Sequence, residues 1–94
     1  MLNVEEVYDE CFYACNNLTS VNFDSNKLTT IRDDAFNCLN LVINNLSLPN
    51  LIDIRSGAFS RTKVKQVSNL GSTITSIPQY LFYECTQLTS VSLP

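Results

Sequence analysis

Apolar side chains return along this chain at intervals far longer than the turn of a helix or the pleat of a strand. Phe12, Phe36, Phe59 and Phe82 are spaced 24, 23 and 23 residues apart. Five residues before each Phe stands a β-branched apolar residue: Val7, Ile31, Ile54 and Ile77. Three before that comes another apolar residue, Val4, Leu28, Leu51 or Ile74, and just ahead of each Phe lies Cys11, Ala35, Ala58 or Leu81. Four ranks in register define a repeat, and a repeat governs every later reading of the chain.

The second half of each unit alternates apolar and polar positions. Unit one has "LTSVNF" (18–23) and unit four has "LTSVSL" (88–93). Unit two, "INNLSLP" (43–49), shows the same pattern one residue late. Unit three, "VKQVSNL" (64–70), matches at Val64 and Val67 but places Asn69 where an apolar residue is expected. Such alternation predicts one short strand per unit with a single buried face. The compact segment around each Phe opens with Asp9, Asp33 or Ser56, side chains that accept hydrogen bonds from free N–H groups at the start of a helical turn. Unit four has Pro78 near that start, where its missing donor does no harm. One strand and one short helix or 3-10 turn cannot bury an apolar side alone, so the units must stack. The expected fold is an α/β repeat solenoid, one domain of four repeats near residues 1–25, 26–49, 50–71 and 72–94, whether free-standing or part of a longer array.

The pattern L-x-x-I-x-x-x-A-F-x-x-C-x-x-L-x-x-V-x-L-P, visible in "LTTIRDDAFNC" (28–38), "LIDIRSGAF" (51–59) and "IPQYLFYECTQLTSVSLP" (77–94), resembles the BspA-like leucine-rich repeat. The departures are Leu81 for Ala, Cys38 one position early, and Thr62 where Cys is usual. The resemblance implies a curved solenoid with parallel strands, one from each repeat, lining the concave side. It also implies kinship with modular surface proteins that act in adhesion, matrix binding or host contact.

Composition narrows the function. With 45% apolar and 16% charged residues the chain is that of a folded protein. A net charge of -3 argues against a nucleic-acid partner, because phosphate binding needs a basic patch, and Arg61, Lys63 and Lys65 are too few. No apolar run approaches the roughly 20 residues of a membrane span. The acidic start, "MLNVEEVYDE", has no export-signal pattern. The compartment therefore stays open: cell surface or secreted for a piece of a longer parent, cytoplasmic for a free-standing chain.

No catalytic set stands out. Without histidine the usual nucleophile–base pairs are absent, and Glu5/Glu6 and Asp33/Asp34 are sequence neighbours whose side chains diverge. Gly57 and Gly71 are isolated, so there is no phosphate loop. Cys11, Cys15, Cys38 and Cys85 lack the spacing of a zinc site and read as small side chains stacked under their neighbours; no metal or cofactor is expected. Cys15 and Cys38 belong to adjacent coils and come within bridging range if their Cβ vectors converge, but without an export signal the reduced form is expected. Asn17-Leu18-Thr19 and Asn45-Leu46-Ser47 match the glycosylation pattern but fall at expected strand positions, where sugar would obstruct the face.

The candidate binding residues lie between the buried strand positions: Thr19, Ser20, Asn22, Asn44, Asn45, Ser47, Lys65, Gln66, Ser68, Thr89, Ser90 and Ser92. They predict a polar, nearly uncharged concave face for a protein or glycan ligand. Tyr13 and Tyr83 offer a second surface on another side. The last strand is as apolar as an internal one, which predicts self-association or a partner across an uncapped end. The expectation is a noncatalytic binding module of the surface-adhesion type. The alternative is a small intracellular protein that inhibits or regulates a partner.

Overall fold

The computed structural model describes residues 4–24 and 26–93. Among these residues eight short strands follow in order: β1 (Glu6–Val7), β2 (Thr30–Ile31), β3 (Val42–Ile43), β4 (Leu46–Ser47), β5 (Asp53–Ile54), β6 (Lys63–Val64), β7 (Gln66–Asn69) and β8 (Ser90–Val91). All pair in parallel, as β1-β2-β5, β3-β6 and β4-β7-β8. Each partner comes from the next coil, so the chain is a solenoid built by stacking.

The repeat ranks become columns of the core. Val7, Ile31 and Ile54 sit in register across the first sheet, and Leu46, Val67 and the exposed Val91 across the third. Between the sheets runs a stack of phenyl rings. Phe12 lies 5.1 Å from Phe36, Phe36 lies 5.3 Å from Phe59, and Phe59 lies 6.5 Å from Phe82, all nearly parallel. Phe23 meets Phe36 and Phe59 edge-on. Offset-stacked and edge-to-face rings each contribute about 0.5–1.5 kcal/mol beyond their buried area.

Two expectations need correction. First, the two inner coils carry strand on two sides, because their L-x-x-I segments also pair. Second, no helix or 3-10 turn occurs among the described residues. The segment around each Phe is instead a run of tight turns. In the first coil Cys11, Tyr13 and Cys15 donate N–H groups back to the carbonyls of Tyr8, Glu10 and Phe12, three residues earlier (3.2, 3.1 and 3.3 Å). The alternate donors, Glu10, Phe12 and Ala14, reach into the second coil, to the carbonyls of Asp33, Ala35 and Asn37 (2.9, 2.8 and 2.9 Å). A helix would consume all of these N–H groups internally.

The alternation depends on left-handed backbone at fixed places. Glu10, Asp34, Gly57 and Tyr80, each two residues before a Phe, have φ of 52°, 52°, 68° and 59°. Ala14, Arg61 and Glu84, two after, have φ of 55°, 63° and 54°. These residues occupy the turn position where a type II turn requires positive φ. A side chain there costs roughly 1–2 kcal/mol, which the bonds between coils offset. The helix-capping role of Asp9, Asp33 and Ser56 disappears with the helix. Ser56 uses its hydroxyl to donate to the Gln79 carbonyl of the next coil, 2.7 Å away.

The irregular units keep their register by local adjustments. Cys38 arrives one residue early because the second coil closes more tightly, its N–H bonding the Phe36 carbonyl two residues back at 2.8 Å. In the third coil Leu46 pairs with Val67 and Ser47 with Asn69, so Ser68 is the extra residue of a β-bulge. The bulge moves Leu70 into the apolar rank beside Leu48, and both are fully buried. Just beyond, Gly71 has φ +82°, and a Cβ there would lie 2.3 Å from the Leu51 carbonyl oxygen.

Candidate functional site

The strand face is made by alternation. Ile43, Leu46 and Leu48 in the second coil, and Val64, Val67 and Leu70 in the third, point inward and are buried. All twelve candidate binding residues are exposed. Lys65, Gln66 and Ser68 cluster on and beside β7, and Thr89, Ser90 and Ser92 on and beside β8. Thr89 donates its hydroxyl to the Lys65 carbonyl at 3.0 Å, tying the third coil to the fourth.

The first coil departs from the expected strand. Its stretch 18–22 is not strand, and Val21 and Phe23 are half-buried. It still borders the second coil, for Val42 N–H donates to the Thr19 carbonyl at 3.0 Å. Where the two coils part, Ser20, Asn22, Asn44, Asn45 and Ser47 line an open depression of ≈ 540 Å³. A second depression of ≈ 320 Å³ takes Ser68, Ser92 and the Gly71 turn. Five candidate residues thus line one concavity and two another, while Thr19, Lys65, Gln66, Thr89 and Ser90 lie outside both. Of the two glycosylation patterns, Asn17 lies in a turn and Asn45 in the link between β3 and β4, neither within a strand.

Two sets of charged groups tie neighbouring coils together. Arg61 donates its Nε to the buried Asn37 side-chain oxygen at 2.8 Å. Asn37 in turn donates to Asp34 at 3.3 Å. Glu6 accepts from Arg32, which also lies over the Tyr8 ring at 5.8 Å. This pair spans the first two coils and raises the Arg32 guanidinium pKa further.

The cysteines behave as stacking groups. All four are free thiols: Cys11 exposed, Cys15 half-buried, Cys38 and Cys85 buried. Cys38 donates to the Phe12 carbonyl of the preceding coil (2.6 Å) and Cys85 to that of Phe59 (3.1 Å). Thr62, in the position of the usual Cys, donates to its own coil's Phe59 carbonyl and lies 3.6 Å from the Cys85 sulfur. Burial raises the thiol pKa of both Cys38 and Cys85, keeping them protonated and poor nucleophiles. No group of three or more Cys, Asp or Glu side chains among the described residues is placed to hold a metal ion.

Sequence reasoning named Tyr83 as part of a second surface but missed its partner Tyr80. Tyr80 and Tyr83 pack edge-to-face at 5.4 Å and are both more than half exposed. Tyr80 went unnoticed because its left-handed backbone has no signature in its residue type. Tyr13 is also exposed, at the other end of the stack.

A parallel-stranded solenoid with an exposed polar ladder is an interaction scaffold of the leucine-rich-repeat class. The family model for the BspA type leucine rich repeat region matches residues 3–94, in six copies, and the chain belongs to that family. No curated protein and no solved structure matched the chain. No helix among the described residues is long and apolar enough to cross a membrane.

Proposed function

We propose that this chain, a single domain of four repeats, is a noncatalytic protein-binding module that works at a cell surface, in adhesion or in contact with a host or matrix. The strand face is the binding site. The observation that carries this reading is the run of twelve exposed residues, eleven of them neutral and one lysine, across neighbouring coils, over an apolar floor that is buried in the two inner coils. Such a face offers many hydrogen bonds and little net charge, which suits a protein surface or the hydroxyls of a glycan. The depression lined by Asn22, Asn44 and Asn45 is part of this face.

The test is capture by the immobilised chain beside a variant with Asn44, Asn45, Lys65, Gln66 and Ser90 all changed to Ala. All five are exposed, so the variant keeps the fold. A partner retained from a surface and matrix fraction and lost with the variant supports the proposal. A single cytosolic partner lost with the variant favours the intracellular inhibitor instead. Capture unchanged by the variant places the site elsewhere, with the exposed Tyr80–Tyr83 pair the next surface to alter.

A further inference from the structure

The rank three residues after each Phe brings side chains of adjacent coils to one shared carbonyl. At Phe59 that carbonyl accepts from Thr62 Oγ1 at 2.9 Å and from Cys85 Sγ at 3.1 Å. The hydroxyl and the thiol lie 3.6 Å apart. Thr62 also donates its N–H to this carbonyl, at 3.3 Å. The first two coils repeat the arrangement at Phe12. There Cys15 donates its N–H at 3.3 Å and Cys38 its Sγ at 2.6 Å. Cys38 stands one residue early in its coil, yet its thiol reaches the corresponding carbonyl. The Cys15 thiol thus takes the place that the Thr62 hydroxyl holds beside Cys85, and the Cys15 side chain is a hydrogen-bond partner of Cys38. Neighbouring coils stack at about 4.8 Å, within the Cα separation that a disulfide spans.

We infer that Cys15 and Cys38 are a redox-active dithiol, which closes to a disulfide by exchange with a small disulfide such as oxidised glutathione and locks the first coil to the second. Cys15, half-buried, reacts first: its thiolate bonds to one sulfur of the oxidant, and the other sulfur leaves as a thiolate. Cys38 then gives up its proton to solvent and attacks the Cys15 sulfur, releasing the second small thiol. Two protein thiols are oxidised and one small disulfide is reduced to two thiols. Burial raises the Cys38 thiol pKa, so the second step relies on placement rather than on reactivity. Among the described residues Cys11 shares its rank with Ala35, and Cys85 neighbours Thr62, so neither has a thiol beside it in rank. The bridge stands three residues before the stretch 18–22, which forms one wall of the depression at Ser20 and Asn22. Closing it holds that wall to the second coil, where Val42 N–H bonds the Thr19 carbonyl at 3.0 Å.

The test equilibrates the dilute, unaltered chain with oxidised glutathione and maps its disulfides by peptide mass. Cys15 should be joined to Cys38, with Cys11 and Cys85 left as thiols or carrying glutathione. The bridged chain should melt roughly 10 °C higher than the reduced one, and dithiothreitol should reverse the gain. Amide exchange at Val42 should slow about tenfold or more on oxidation. A bridge from Cys11 to Cys15, or a glutathione adduct on Cys15 that never resolves, would overturn the pairing. A Cys15–Cys38 bridge that leaves Val42 exchange unchanged would overturn the lock. Thr62→Cys checks the geometry without touching the first two coils: it should gain a second bridge, to Cys85, and failure to do so would overturn the arrangement both pairs share. None of these readouts needs a ligand, so the strand-face reading and the dithiol stand or fall separately.

Discussion

The inner and outer coils carry nearly the same residues in the same places, yet their packing differs. Phe36 and Phe59 are fully buried, whereas Phe12 and Phe82 are half-buried. Ala35 and Ala58 are sealed while Cys11, in the same rank, is exposed. Ile31 and Ile54 are buried, but Ile77 is 41% exposed; Val7 and Leu81, the other outer members of these two ranks, stay buried. A position in this repeat is therefore only a potential core position. What completes it is the coil on the other side, and stability resides between coils more than within them.

The largest effect should come from removing an inner rung. Phe36→Ala or Phe59→Ala should cost about 3–5 kcal/mol in urea unfolding, the usual loss for a buried aromatic ring. Phe12→Ala or Phe82→Ala should cost about half as much, since one ring face already meets solvent. Equal losses in all four would dissolve the distinction between inner and outer coils.

The two glycines sharpen it next. At Gly71 a Cβ would strike the Leu51 backbone, and φ is +82°, so Gly71→Ala should cost roughly 2–3 kcal/mol. At Gly57 the obstacle is the Asp34 side chain, which can swing away, and the other coils place Glu, Asp and Tyr at that rank. Gly57→Ala should cost about 1 kcal/mol.

The thiols give a graded, chemical version of the same contrast. Cys11 and Cys15 should be alkylated first, and Cys38 and Cys85 only as the coils open. Burial raises the latter pair's pKa in the folded chain, so the unfolded chain loses its thiol protons first. Their contribution to stability is complete below the ordinary thiol pKa and declines as pH rises through the raised folded values. Unfolding midpoints measured across alkaline pH, with Cys38→Ala and Cys85→Ala as controls, check the sign. The smallest effect belongs to the strand face: each of Asn44, Asn45, Gln66 and Ser90 changed to Ala should alter stability by no more than about 0.5 kcal/mol.

Much of this architecture was legible in the sequence. The Phe, Ile and Leu ranks recur at one period, and alternation in 43–49 and 64–67 marked which side chains face outward. The turn ladder was not legible, because its left-handed positions hold Glu10, Asp34 and Tyr80 as well as Gly57, and residue type gave no common signal. An Asp at a turn start looks like a helix cap until its backbone is seen. The bulge at Ser68 was hidden for a related reason: Asn69 in an apolar slot reads as a broken rank, although Leu70 fills that slot after one extra residue. At the candidate site, exposure of the twelve residues followed from their places between the apolar positions. The depression between the first two coils did not, since it arises where the first coil fails to form a strand.

The most direct measurement is amide hydrogen exchange at Phe12, Phe36, Phe59 and Phe82 in dilute solution. The first three donate across a coil boundary, so their N–H groups should be protected by orders of magnitude, Phe36 and Phe59 the most, while the Phe82 N–H, with no acceptor, should exchange rapidly. Equal protection of all four in dilute solution would contradict a ladder that runs one way from coil to coil.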